Sequence, residues 1–332
     1  MRDHILGTLY GMALGDAMGM PSELLSRRRI REIFGRIETF EDSPAENPAA
    51  IGLKKGEFTD DTAQALVILD SLMENDYVPD KGLIARNLLQ WAVRTNAFDK
   101  NILGQSSKAA LHAVAHGEDP EPYTVKALTN GAAMRIAPIG CLFSSHDLQD
   151  LAAYVFHISE ATHKTDVALS GAGMVAAAVS AALDGRSWDD IMDTAMDCCA
   201  MIAQYGAETY SASPKARLAL ALEFAQRYRA DEEAFSLSIY EIIGTTTLMS
   251  EAVPAALAMA YYFKEPKACG LACANLGGDT DTIGAMATAI CGAKVGAKHI
   301  KEEWIAVLER SNAVDFGHYA DSLLAHRGRV HC

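Results

Sequence analysis

The chain has 332 residues, half of them hydrophobic and 22% charged, which at about 150 residues per domain allows one large domain or two average ones and excludes a disordered chain. Its 29 basic and 43 acidic side chains leave a net charge of −14, which argues against a surface that tracks nucleic-acid phosphates or anionic lipid. Seven cysteines, odd in number, without a CxxC and mostly in apolar stretches, indicate reduced thiols and a cytoplasmic location, not a disulfide framework.

Apolar residues recur at helical spacing almost throughout, and no run of four to eight β-branched or aromatic residues alternates with polar ones, so the chain reads as all-α. The first expected helix, 3–19, carries glycine every four residues at Gly7, Gly11, Gly15 and Gly19. On a helix that spacing makes one face without side chains, against which another backbone can pack closely. Glycine inside a helix costs about 1 kcal/mol, so four in register need a packing reason. Ile5 to Leu14 has the length of a signal-peptide core, but Asp3 and the glycine spacing favour a packed helix.

Helices are then expected at 26–34, 61–74, 81–95, 104–116, 147–160, 165–183, 188–204, 214–229, 231–243, 248–263, 266–275, 280–296 and 301–310. Ser187 with Asp190, and Ser213 before Pro214, mark two of the starts. Glu41 to Phe58 and Gly117 to Gly131, each with two prolines, read as irregular. The longest apolar run, Ala168 to Leu183, falls short of the roughly 18 residues that span a bilayer. Composition does not shift along the chain and no repeat period appears, so residues 1–332 read as a single domain.

Three segments place carboxylates where an ordinary core helix would not: Gly15-Asp16-Ala17-Met18-Gly19-Met20-Pro21-Ser22-Glu23, Thr59-Asp60-Asp61-Thr62, and Gly277-Gly278-Asp279-Thr280-Asp281-Thr282. The last two open helices, where unpaired N–H groups and the dipole tolerate negative charge. Capping needs one Asp or Thr per helix and accounts for neither Asp60 beside Asp61 nor Asp279 near Asp281. Four clustered carboxylates would repel and raise one another's pKa unless cations neutralised them. Oxygen ligands without His or Cys suit Mg²⁺, Mn²⁺ or Ca²⁺ and not zinc.

Rival motifs fail on the same residues. An EF-hand loop from Asp279 would require Asp or Asn at Ile283 and Glu at Ile290. An aspartyl-phosphatase DxD should follow a hydrophobic strand, whereas Ala274 to Gly278 ends a helix. His112 and His116 have zincin spacing, but Ala113 stands where the catalytic Glu should be. Neither a GxGxxG after a strand nor a GxSxG elbow is present. Thr129-Asn130-Gly131-Ala132-Ala133-Met134-Arg135 reads either as an ordinary loop-to-helix turn or as a backbone-amide cradle for a pyrophosphate. His163, in Thr162-His163-Lys164, reads either as a solvated helix connector or as a partner for a sugar or base.

Taken in this order, the GDAxGxPxE stretch, TDDT, NGAAMR-x-x-P-x-G at Asn130 to Gly140, Thr162-His163 and LGGDTDT-x-G resemble the ADP-ribosylglycohydrolase family, which includes the dinitrogenase reductase activating glycohydrolases and the ADP-ribosyl-acceptor hydrolases. The resemblance spans about residues 7 to 310, with no motif between roughly 185 and 245. It implies a compact all-α single domain with a two-cation centre, magnesium or manganese, in a cleft for ADP-ribose. By position, Thr59, Asp60, Asp61, Asp279, Asp281 and Thr282 would be metal ligands. Glu23, Asp60 and Asp281 would carry the chemistry, with Glu23 as base or gate. Thr129, Asn130 and Gly131 would cradle the diphosphate, with His163 near the nucleotide or distal ribose and Asp16 behind the ligands. The implied reaction is hydrolysis at the anomeric ribose carbon through an oxocarbenium-like state, by a positioned water. The substrate would be an ADP-ribosylated protein, such as an ADP-ribosyl-arginine bearer, or a small ADP-ribosyl compound; neither nucleic acid nor membrane is an expected partner. Two alternatives are a glycosidase for a smaller N-riboside or nucleoside and a non-catalytic ADP-ribose-binding relative.

Overall fold

The protein, a computed structural model, is described over residues 1–100 and 102–330; Cys332, one of the cysteines expected to be reduced, lies outside the described residues. Its helices are α1 (Arg2–Gly19), α2 (Arg27–Phe34), α3 (Asp60–Glu74), α4 (Lys81–Arg94), α5 (Gln105–Ala115), α6 (Glu121–Thr124), α7 (Leu148–Ser159) and α8 (Asp166–Leu183), followed by α9 (Trp188–Ala203), α10 (Pro214–Arg227), α11 (Glu232–Ser238), α12 (Met249–Phe263), α13 (Pro266–Ala274), α14 (Thr280–Val295), α15 (Glu302–Asn312) and α16 (Phe316–His326). Among the described residues there is no strand, only three isolated bridges.

The glycine stripe has its packing reason. A Cβ on Gly7, Gly11, Gly15 or Gly19 would collide with the backbone at Gly292, Thr288, Gly284 and Thr280 respectively. The pairing runs in opposite directions along the two chains, so α1 and α14 are antiparallel and touch backbone to backbone. α14 supplies a matching row of small residues, Thr280, Gly284, Thr288 and Gly292, again at intervals of four. Hydroxyls in that row stitch the seam: Thr280 Oγ1 donates to Gly19 O at 2.9 Å and Thr288 Oγ1 to Gly11 O. The consequence for function is geometric. The C-terminal end of α1, which leads to Glu23, is fixed beside the N-terminal end of α14, which carries Asp279 and Asp281.

Around the seam, α8 is buried along almost its whole length. Among the described residues it is the one helix long and apolar enough by composition to cross a bilayer, and it is a core helix here. α12 continues through Pro254, whose missing N–H frees the carbonyl of Ser250. Arg217 Nη1 donates to that oxygen at 3.1 Å. Helix α16 lies beyond the helices expected from periodicity. It is short, capped by Asp315, and its buried Phe316, Ala320 and Leu323 make too brief a pattern to stand out in sequence. Residues 117–131 also contain one helical turn, α6, and 231–243 divides into α11 and a π turn, Ile239–Ile243, ending at Gly244.

The irregular segment 41–58 is tied to the site at both ends. Buried Asn47 donates from Nδ2 to Glu23 O at 3.0 Å and to Pro21 O at 3.3 Å. Near the other end, Asn312 Oδ1 accepts from Phe58 N at 3.2 Å and Nδ2 donates to Gly56 O at 2.7 Å, which fixes the approach to Thr59.

Candidate active site

Asp16 is wholly buried and organises the second acidic segment. Its carboxylate accepts from Thr59 N at 2.8 Å, Thr62 N at 3.0 Å and Thr62 Oγ1 at 2.6 Å. It therefore caps the start of α3 from a different helix, while Thr59, the N-cap, accepts weakly from Asp61 N at 3.4 Å. Asp60 and Asp61 sit in the first turn of α3, where the helix dipole favours carboxylates.

The third segment is turned by two glycines in the left-handed region, Gly277 at φ 89° and Gly278 at φ 86°. Leu24 N donates to Gly278 O at 2.7 Å and Gly278 N to Leu25 O at 2.8 Å, a bridge that draws Glu23 against the start of α14. Leu24 reaches it at φ 57°, a region that few non-glycine residues enter. Asp279 holds the N-cap position of α14 but makes no capping bond. Its Oδ2 accepts instead from Asn130 Nδ2. Capping alone thus fails to explain this aspartate.

Carboxylate oxygens of Glu23, Asp279 and Asp281 lie within 4.8 Å of one another. They line a cavity of about 540 Å³ together with Asp60, Asp61, Thr282, Thr129, Asn130 and Gly131. Nine of the expected site residues therefore converge. Thr59 and His163 are not in that lining. Thr59 caps α3, and His163 is no solvated connector: it is fully buried beneath Gly131, whose added Cβ would stand 2.8 Å from His163 Cε1. The ring supports the loop from behind, with Nε2 3.2 Å from Thr129 Oγ1. His112 and His116 stack at 4.3 Å near the far end of α5, and neither lines the cavity.

Burial raises the pKa of Glu23, Asp60, Asp61 and Asp281, and the surrounding carboxylates raise them further. Asp279 is raised by burial and held back by the Asn130 donor. Asp61 Oδ2 and Asp281 Oδ1 are buried without any hydrogen-bond partner, an unfavourable state for an acceptor in protein alone. An all-oxygen cluster with orphaned acceptors and mutual repulsion fits a hard divalent cation. By contrast His163 is pushed down to about 3, first by burial and then by the Arg135 charge, so its imidazole is neutral.

Sequence reasoning missed part of the wall. Gly104, Gln105 and Ser107 line the cavity at the start of α5, as do Thr246, Thr247 and Leu248. The first group carried a signal, since Gly-Gln-Ser-Ser opens an apolar helix without a side-chain cap. The second had none beyond a run of threonines.

The profile of the ADP-ribosylglycohydrolase family matches residues 1–331. The chain belongs to that family. It is 45% identical to the uncharacterized protein YegU of Escherichia coli (strain K12) over 98% of this chain and 97% of the relative. Similarity to the ADP-ribosyl-[dinitrogen reductase] glycohydrolase of Rhodospirillum rubrum is 24% identity over 99% and 98% of the two chains. Among solved structures, an ADP-ribosylglycohydrolase-related protein complex superposes with a TM-score of 0.72 at 23% identity, covering 98% of each chain. The all-α, single-domain ADP-ribosylglycohydrolase fold expected from the motifs is the one found, and family membership supports a hydrolase of this type.

Proposed function

We infer that the protein is a divalent-cation-dependent glycohydrolase that cleaves the bond at the anomeric ribose carbon of ADP-ribosylated substrates. The observation that supports this most is the meeting of Glu23, Asp279 and Asp281 beside the orphaned oxygens of Asp61 and Asp281. The ligands would be Asp60, Asp61, Asp279, Asp281 and Thr282 for two ions, magnesium or manganese, with Thr59, expected as a sixth, reaching them only from its α3 cap position outside the lining. When bound, such ions supply Lewis-acid polarisation and a water of lowered pKa.

The chain's own residues then have distinct tasks. Glu23, on the bridged turn that lines the cavity, is placed to take a proton from the attacking water once the site is neutralised. Asn130 spends its N–H on Thr247 O at 2.9 Å and its side chain on Asp279, so it orients the acidic cluster, and the diphosphate falls to Gly131, Thr129 and the uncapped start of α5. His163 acts on that loop from beneath. Six described cysteines, all free and buried, are consistent with a cytoplasmic setting.

One observation favours a second reading, a glycosidase for a smaller riboside. The described residues that line the cavity include no Lys, Arg or His to meet the charge of a diphosphate. A product assay across ADP-ribosyl-arginine, ADP-ribosyl-serine, ADP-ribosylated protein and simple nucleosides, with and without EDTA, separates the two. Release of ADP-ribose lost on chelation supports the first; ribose release from nucleosides alone supports the second; tight ADP-ribose binding without any product would leave a binding protein.

A further inference from the structure

Behind the cavity wall runs a chain of buried polar side chains that no cation or ligand requirement on the wall itself accounts for. Gln64, Arg135, Thr162 and His163 are each at most 1% exposed. Gln64 Nε2 donates to Asp60 Oδ2 at 2.7 Å, and Gln64 Oε1 accepts from Arg135 Nη1. Arg135 Nη2 donates to Thr162 Oγ1. Thr162 Oγ1 lies 2.8 Å from His163 Nδ1, and His163 Nε2 lies 3.2 Å from Thr129 Oγ1, which donates to Ser106 Oγ at 2.9 Å.

Arginine has donors only, so the direction of every bond follows from it. Since Arg135 fills an acceptor site on Thr162, the lone hydroxyl proton of Thr162 has His163 Nδ1 as its remaining partner. That leaves the imidazole proton on Nε2, pointed at Thr129. The opposite tautomer would strand the Thr162 hydroxyl proton in the core. Toward Asp60, the guanidinium orients the Gln64 amide so that its NH₂ meets the carboxylate.

We propose that Gln64, Arg135 and Thr162 are positioning residues, through which one buried guanidinium sets both the Asp60 carboxylate and the Nε2–H tautomer of His163 that holds the Thr129-Asn130-Gly131 loop. The two arms serve different halves of the site, cation and diphosphate. The inference rests on the cation-dependent glycohydrolase reading for the meaning of those halves, and its test does not require turnover.

Three measurements on the full chain are needed: ¹⁵N-histidine spectra of the metal-free protein, Mn²⁺ affinity, and ADP-ribose affinity. Wild type is expected to show His163 protonated at Nε2. Thr162→Val, which removes the hydroxyl proton that fixes Nδ1 as an acceptor, is expected to turn that single tautomer into a mixture and weaken ADP-ribose about tenfold with Mn²⁺ affinity unchanged, and Thr162→Ser to keep both as in wild type. Gln64→Glu, which keeps the Arg135 acceptor and loses the Asp60 donor, is expected to weaken Mn²⁺ about tenfold and leave the His163 signal unmoved. Should Thr162→Val fail to fold, the wild-type ¹⁵N spectrum still reads the His163 arm and Gln64→Glu the Asp60 arm. An Nδ1–H tautomer in wild type overturns the proposal, as do equal losses of Mn²⁺ and ADP-ribose in both variants, the mark of a merely structural role. If the spectra and affinities behave as expected but no substrate is hydrolysed, the glycohydrolase reading fails and the relay stands.

Discussion

The α1–α14 seam and the acidic cluster at its end are built from the same two helices and obey opposite rules. Along the seam side chains are removed so that backbones touch, and the threonine hydroxyls donate to the carbonyls that this exposes. At the end of the seam, carboxylates gather with raised pKa values and two buried oxygens lack partners. A rigid, well-satisfied contact holds in place a group of buried carboxyls that would otherwise move apart toward water. Strain of this kind persists where the surrounding structure over-determines it, and here the over-determination is the helix pair.

Substitutions at the two ends should therefore differ in sign as well as size. Asp281→Asn is expected to lower turnover by at least about 10³-fold, on the order of 4 kcal/mol in activation free energy, and to abolish stabilisation by Mg²⁺ or Mn²⁺ in thermal melts. The cation-free variant should melt no lower than wild type, because an amide is neutral without the proton that buried Asp281 must hold. Full activity would remove the carboxylate account of the site. Gly292→Val at the seam should do the reverse: about 3 kcal/mol or more of lost stability, with or without cation, because the clash is with the Gly7 backbone and backbone cannot rotate away. A variant melting like wild type would show that the two backbones are free to separate.

The pH dependence sharpens the contrast. Carboxyls whose folded pKa is raised contribute stability that is complete below their unfolded value and fades as pH climbs through the folded one. Asp60, raised to about 8, and its neighbours should make the cation-free protein less stable at pH 8 than at pH 6.5. The expected slope is about 1.4 kcal/mol per pH step of one for each carboxyl that keeps its proton in the fold and loses it on unfolding. His163, depressed, gains its contribution as pH rises through its ordinary value of about 6.5, so between pH 6.5 and 8 it opposes the trend by only about 0.4 kcal/mol. Saturating Mg²⁺ should flatten the slope, and a slope indifferent to Mg²⁺ would place its origin outside the cluster. The smallest effect is at the loop. Gly131→Ala presses on His163 and is expected to cost about 1 kcal/mol of stability and weaken ADP-ribose severalfold, read by calorimetry.

Much of this could be read from the chain alone, for local reasons. Helical periodicity, the Ser187–Asp190 box and the glycine interval are all properties of neighbours in sequence, and apart from the division of 231–243 and the unexpected α16 they appear in the structure where the pattern put them. The types of residue in the acidic segments were equally informative, because hard oxygen donors in excess of capping needs have few uses. Tertiary structure alone decided which partners those residues meet. That α14 bears the complementary row, that Asp279 caps nothing, that His163 lies under Gly131 and that Gln64 and Arg135 stand behind Asp60 all depend on side-chain direction between segments far apart in the chain. Periodicity specifies which face of a helix is buried; only the packed core specifies what that face is buried against.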